Sequence, residues 1–106
     1  MHPSMDDVTL EALFYALGNK TRLQIVANLY QAYQNDRKPL NCTLSVKNIE
    51  PLAPSTTSHH FRILREGGLV CSERIGKDCN NSLRLDELNK KFPGLLLSVL
   101  EHFELT

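Results

Sequence analysis

The sequence predicts a mainly α chain carrying one small β-hairpin, an α+β fold built as a single domain over residues 1–106. Three observations predict it. Apolar residues recur at spacings of three and four through several stretches, the repeat of helices that bury one face. Two of these stretches, around 44–52 and 56–66, are separated by prolines and closed by Gly67-Gly68, a pattern of helix, turn and helix. Directly after the glycines, two short runs of strand-forming residues flank a Gly/Asn/Asp-rich segment, which describes a hairpin.

The elements follow in order. Leu10, Leu13, Phe14 and Leu17 share one helical face over residues 8–17, and Gly18 ends that helix. Asn19 can cap the next one, in which Leu23, Ile25, Val26, Leu29 and Tyr30 form a broad apolar face running on towards Tyr33; this helix is expected at the centre of the core. Residues 34–39 are polar and end in Pro39, a surface loop. Leu44, Val46, Ile49 and Leu52 predict one short helix that Pro51 and Pro54 keep short. Pro54-Ser55 supplies a stop and a hydroxyl cap, and a helix over 56–66 turns Thr57, Phe61 and Leu64 inward. The hairpin strands are expected over 69–75 and 82–85, with the turn over 76–81. Asp86 is the expected cap of a brief helix to Phe92, and Pro93 opens a last helix on which Leu96, Val99, Leu100 and Phe103 repeat at three or four. Leu95 and Leu97 widen that face beyond one stripe, so this helix is expected to be buried twice, against its own core and against a second copy of the chain.

Composition narrows the function classes. Apolar residues make up 42% and charged residues 23%, as in a chain that folds. No apolar run approaches the roughly 18 residues of a membrane span, and the acidic start does not read as a secretory signal, so a cytoplasmic location without a membrane partner is expected. Three cysteines, Cys42, Cys71 and Cys79, are then reduced thiols. Twelve basic side chains balance twelve acidic ones, so only the distribution of charge can speak for a polyanionic partner. Within residues 45–85, Lys47, Arg62, Arg65, Arg74, Lys77 and Arg84 outnumber Glu50, Glu66, Glu73 and Asp78, and His59 and His60 lie there too. No grouping of nucleophile, base and oxyanion donors and no Gly-rich phosphate loop is visible, so an enzyme is not expected.

Two motifs carry a resemblance. The segment Leu13-Phe14-Tyr15-Ala16-Leu17-Gly18-Asn19-Lys20-Thr21-Arg22-Leu23-Gln24-Ile25-Val26, followed by Ser55-Thr56-Thr57-Ser58-His59-His60-Phe61-Arg62-Ile63-Leu64-Arg65-Glu66-Gly67-Gly68-Leu69-Val70, closely resembles the ArsR/SmtB-type winged helix-turn-helix repressors, over roughly residues 10 to 100. The resemblance implies a winged helix-turn-helix homodimer joined through its first helix (about 6–17) and last helix (about 93–105), with the 56–66 helix in the major groove of double-stranded DNA and the hairpin as a wing. It therefore implies an inverted-repeat operator, and points to Leu10, Leu13, Phe14, Leu96, Val99, Leu100 and Phe103 for the dimer interface. Nothing in the residues identifies an inducer.

With Thr57, Phe61 and Leu64 inward, Ser55, Ser58, His59 and Arg62 face outward, with Thr56 beside them. Their hydroxyls can bond phosphate or base edges, and the planar fork of Arg62 suits guanine; the alternative is an ordinary solvated or phosphate-contacting arginine. His59 is the better histidine for DNA, because His60 flanks the apolar face, where a hydrogen-bonded structural role competes with a phosphate contact. Titration of the pair would make affinity fall with rising pH. Arg74, Lys77 and Arg84 on the hairpin meet phosphate or remain solvated surface charges.

Many members of that family hold a metal in a Cys-Val-Cys arrangement on the helix before the turn, where this chain reads Ser45-Val46-Lys47-Asn48-Ile49. Serine and lysine do not replace soft thiolates. The last helix offers only Glu101, His102 and Glu104 against the Asp and His set of the other familiar site, so no metal and no cofactor is expected. Cys42, Cys71 and Cys79 leave a thiol-based redox response open, although Cys71, alternating with Leu69, more commonly reads as a small core residue, and Cys79 reads as an exposed thiol in the wing. A sequence-specific repressor is the leading reading; a winged-helix interaction module without DNA binding, or a redox-responsive repressor, are the alternatives.

Overall fold

A computed structural model describes residues 2–36 and 38–105, and in the last helix the side chains of Glu104 and Leu105 lie outside the described residues. The chain runs through a 3₁₀ turn at Met5–Asp7, α1 (Leu10–Leu17), α2 (Lys20–Asn35), β1 (Leu40–Asn41), α3 (Cys42–Ser45), α4 (Pro54–Glu66), β2 (Val70–Ile75), β3 (Asp78–Leu83), α5 (Leu85–Lys91) and α6 (Leu95–Leu105). The three strands form one antiparallel sheet in the order β1-β3-β2. Helices surround one core, in which Leu13 and Ala16 of α1, Ile25 and Val26 of α2, Leu64 of α4, and Val70 of β2 are fully buried.

Local chemistry accounts for most element ends. Thr9 caps α1 by accepting from the Ala12 amide at 3.2 Å, and Asn19 caps α2 by accepting from the Arg22 amide at 3.1 Å. Asn41 caps α3 in the same way, through Leu44 at 2.8 Å. Gly67 and Gly68 close α4 in a Schellman arrangement: Leu69 N–H donates to the Leu64 carbonyl, Gly68 N–H donates to that of Arg65, and Gly68 takes φ +83°. A side chain at Gly68 would run into Val8, which is buried beneath it, and one at Gly67 would meet Ala16 Cβ at 2.9 Å. These glycines let the end of α4 lie against α1.

Several expectations change here. Ala53 holds the cap position of α4 and contributes no side-chain bond, Pro54 occupies the first turn, and Ser55 lies inside the helix rather than capping it. The segment expected as a helix across 44–52 is helical only at Cys42–Ser45, because Asn48 adopts φ +66° and breaks the turn. Leu40–Asn41, to which the sequence assigned no element, forms a third strand on β3, pairing Leu40 with Asn81 and Asn41 with Asn80. The hairpin turn is two residues, Gly76-Lys77, between the paired Ile75 and Asp78. Positive φ occurs only at its first position, Gly76 (+63°), the II′ pattern that suits strand twist. Cys79, expected in the turn, is therefore a residue of β3. Asp86 does not cap α5; Arg84 stands at that position, and Asp86 accepts instead from the Tyr33 hydroxyl at 2.9 Å.

Candidate nucleic-acid interface

The site is built on the outward face of α4. Ser55, Thr56, Ser58, His59 and Arg62 are exposed along it, while His60, Phe61 and Leu64 are buried and Thr57 is half-buried behind them. The helix starts without a side-chain cap, and its first backbone donor to an intrahelical acceptor is Thr57 N–H, bound to the Ala53 carbonyl at 3.0 Å. The amides of Ser55 and Thr56 precede that bond. They stand at the positive end of the helix beside three hydroxyls, a set of donors suited to an anionic oxygen. Arg62 touches Glu66 at 3.7 Å, with both side chains about two-thirds exposed (64% and 68%), so the pair holds Arg62 weakly.

A buried arginine fixes this helix to the rest of the molecule. Arg22 is 6% exposed and donates from Nε to the Ala16 carbonyl at 2.7 Å, from Nη2 to the Tyr15 carbonyl at 3.1 Å, and from Nη1 to Nδ1 of His60 at 3.1 Å. Its guanidinium also lies 5.5 Å from the centre of the Tyr15 ring. Two terminal carbonyls of α1 thus receive a cation at the negative end of their helix dipole, and the same cation grips α4. Because an arginine only donates, Nδ1 of His60 must accept, and the ring is neutral with its proton on Nε2. Burial first, then the charges of Arg22 and His59, hold the His60 pKa below its usual value. His60 is therefore a structural residue and supplies no titrating charge to a DNA face. The sequence reading missed Arg22. Its only signal was a cation in the first turn of α2, where the helix dipole disfavours positive charge.

The other singled-out residues are distributed as follows. Arg74 and Lys77 are exposed on the hairpin, Lys77 at its tip. Arg84 is turned inward: its guanidinium binds both carboxylate oxygens of Glu87 (3.1 and 2.9 Å) and the Pro3 carbonyl (2.8 Å). That corrects its assignment as a phosphate contact, since its donors are committed to tying the amino-terminal segment and α5 to the sheet; Lys91, which donates to the Met5 and Asp6 carbonyls at 2.7 and 3.2 Å, does the same. Leu13, Leu96 and Leu100, expected at a dimer interface, are only 1–2% exposed and belong to the subunit's own core. Among the described residues, Leu10 (40%), Phe14 (49%), Tyr15 (66%) and Leu97 (37%) are the large apolar side chains left open on α1 and α6, with Val99 and Phe103 half-buried. Tyr15 was not foreseen there.

Ser45 occupies the position compared with a metal ligand, and it is fully buried, donating to the Asn41 carbonyl at 2.7 Å and accepting from Asn81 at 3.4 Å. Asn28 completes that network by donating to the Ser45 and Lys47 carbonyls at 3.0 and 2.7 Å. Among the described residues no three His, Cys, Asp or Glu side chains converge, and no helix is long and apolar enough to cross a membrane. Cys42 is exposed and Cys79 half-buried beside it, whereas Cys71 faces the opposite side of the sheet, since it pairs with Ser82 while Cys79 pairs with Arg74.

No family model matches the chain. It is 33% identical over 91 residues to an uncharacterised HTH-type transcriptional regulator, YceK of Bacillus subtilis (strain 168), the alignment covering 86% of each chain. Among solved structures, the ArsR family transcriptional regulator RHA00566 superposes with a TM-score of 0.64 over 90% of this chain and 96% of that one, at 19% identity. The transcriptional repressor PagR of Bacillus anthracis gives a TM-score of 0.59 at 28% identity, covering 85% of this chain and 94% of that one. The six helices and three-stranded antiparallel sheet are a winged helix-turn-helix, with α3 and α4 as the two helices and the β2–β3 hairpin as the wing.

Proposed function

We propose that this chain, which belongs to the ArsR-type winged helix-turn-helix transcriptional regulators, acts as a homodimeric repressor that reads an inverted-repeat operator in double-stranded DNA. Regulators of this kind are not enzymes, and nothing in α4 calls for a reaction. The observation that carries the proposal is the face of α4: five exposed polar side chains and an uncapped amino terminus on a helix whose opposite face is locked by Arg22. Rigid backing matters because base discrimination requires donors held in place before contact.

In this reading α4 enters the major groove. Arg62 leaves its weak partner Glu66 and presents its fork to a guanine, while Ser55, Thr56, Ser58 and His59 bond phosphate or base edges. Arg74 and Lys77 meet phosphates flanking the groove, and Leu10, Phe14, Tyr15 and Leu97, with Val99 and Phe103, join two copies so that two α4 helices lie one duplex turn apart, about 34 Å. The modest charge of each subunit is one reason for two half-sites. Ser45 and Lys47 leave the usual thiolate metal site without its ligands, so the regulator works without that metal, and cytoplasmic DNA is its target.

Fluorescence anisotropy on a fragment of its own promoter tests this. Tight, salt-sensitive binding is expected, with Arg62→Ala costing roughly 1–3 kcal/mol and relaxing discrimination at one position of each half-site, and Lys77→Ala weakening all sequences alike and lowering the salt slope by about one. Absence of salt-sensitive binding, or Arg62→Ala binding as tightly as the parent, would assign the same face to a protein partner instead.

A further inference from the structure

We infer that Cys42 and Cys79 form a paired thiol switch: a hydroperoxide oxidises them to a disulfide at the cleft between α4 and the wing, and the bond weakens DNA binding. The inference rests on the DNA-binding reading for its second half only. Its first half is geometric.

The antiparallel ladder between β1 and β3 pairs Leu40 with Asn81 and Asn41 with Asn80. The next facing positions in that register are Cys42 and Cys79, at the point where the chain leaves β1 and enters α3. Facing residues of an antiparallel pair have Cα atoms roughly 4.5–5.5 Å apart, inside the roughly 4.4–6.8 Å that a disulfide spans. The Cys42 thiol reaches β3 at that position: its Sγ lies 3.9 Å from the Cys79 backbone carbonyl oxygen, and Asn81 Nδ2 donates to the same sulfur at 3.7 Å. Burial raises the Cys79 pKa, and the charge of Cys42 and a hydrogen bond between the two thiols raise it further. The pair lines an open cleft of about 600 Å³ shared with Thr57, Ser58 and Arg65 of α4 and Arg74 of the wing. Cys71, on the other face of the sheet, has no part in it.

The exposed thiol reacts first. Cys42 thiolate attacks an oxygen of the hydroperoxide, the O–O bond breaks, and the sulfur becomes a sulfenic acid while the departing oxygen takes up a proton and leaves as water or an alcohol. Cys79 then gives up its proton and attacks the Cys42 sulfur; the S–S bond forms, and the expelled hydroxide takes up that proton as water. Two thiols and one hydroperoxide yield one disulfide, one water and one water or alcohol.

The consequence for DNA follows from what each cysteine adjoins. Cys79 faces Arg74 across the hairpin, so the bond pins the wing strand beside that cation to the start of α3, and it replaces the thiol to which Asn81 donates at the edge of the buried Ser45 network. The wing and α4 then no longer fit one duplex together.

The test uses the full chain, hydrogen peroxide as oxidant, peptide mapping without reduction, and anisotropy on the promoter fragment. One equivalent of peroxide is expected to consume two thiols, to link Cys42 to Cys79 with Cys71 still open to alkylation, and to lower affinity on the order of tenfold, reversed by dithiothreitol. Cys42→Ser and Cys79→Ser each abolish the link and the response, whereas Cys71→Ser responds like the parent. A link through Cys71, a bond between subunits, or oxidation that stops without a Cys42–Cys79 bond overturns the inference. So does a mapped Cys42–Cys79 bond with unchanged affinity. If the reduced protein fails to bind DNA at all, the repressor reading and the regulatory half fall together, and the peptide map still decides the pair.

Discussion

Arg22 spends its guanidinium on the last carbonyls of α1 and on Nδ1 of His60, so one side chain satisfies acceptors on both α1 and α4. Replacing it by methionine leaves the Ala16 carbonyl and His60 without this donor and the Tyr15 carbonyl with the Gly18 amide alone, at an expected cost of roughly 2–4 kcal/mol in urea unfolding, and lysine, lacking the fork, is expected to recover less than half of it. An Arg22→Lys variant as stable as the parent would show that the fork is not needed. His60 carries a pH prediction. Its folded pKa lies below the unfolded value of 6.5, so below that value the unfolded chain binds a proton that the folded chain refuses. The associated stability is complete above about 6.5 and is lost as pH falls towards the depressed folded pKa, a sign that His2, also lowered chiefly by burial, shares. His60→Asn keeps an acceptor near the Nδ1 position but does not titrate. The urea midpoint of the parent should therefore drop more than that of the variant between about pH 7.5 and 5.5, and equal slopes would remove His60 from this role.

At the scale of elements, the end of α4 depends on two glycines that do different work. Gly68 must take a positive φ and must also leave room for Val8, so Gly68→Ala meets both backbone strain and a buried side chain. A loss of about 2–4 kcal/mol is expected. Gly76 takes a similar φ at the hairpin tip with open space around it, and Gly76→Ala should cost only the backbone strain, about 1–2 kcal/mol. Similar losses from the two would mean that Val8 yields freely. Binding is expected to separate them too, since the tip carries Lys77 beside Gly76.

For the molecule as a whole, the division of apolar residues between core and open surface bears on the proposed dimer. Leu13 is fully buried within one subunit, so Leu13→Ala should lower stability by roughly 2–5 kcal/mol by opening a cavity, without specifically weakening the dimer. Phe14 and Leu97 are open, so Phe14→Glu combined with Leu97→Glu should leave the chain folded and convert the proposed dimer to monomer in sedimentation velocity. A double variant that sediments like the parent would place the contact elsewhere. On the proposed function, loss of that dimer should in turn remove most operator affinity, because a single chain would bring only a few cations to the phosphates.

Periodicity and punctuation made much of this fold legible beforehand. The helices over α1, α2, α4 and α6, the glycine stop after α4, the Asn19 cap and the hairpin are consequences of spacing and residue type acting within a few positions of one another. The outward face of α4 follows from the same spacing, once its inward residues are known. Other features required the folded chain. Asn41 became both a strand residue and a helix cap because β3 was there to pair with it, and Asn48 turned left-handed where the apolar spacing favoured a longer helix. Which leucines of α1 and α6 are covered, that Arg84 reaches the Pro3 carbonyl, that Arg22 reaches His60 from 38 residues away, and that Cys42 meets Cys79 all depend on contacts between segments distant in sequence. Short-range patterns encode where backbone hydrogen bonds are made; the partners of long polar side chains are decided only when packing brings remote acceptors within about 3 Å.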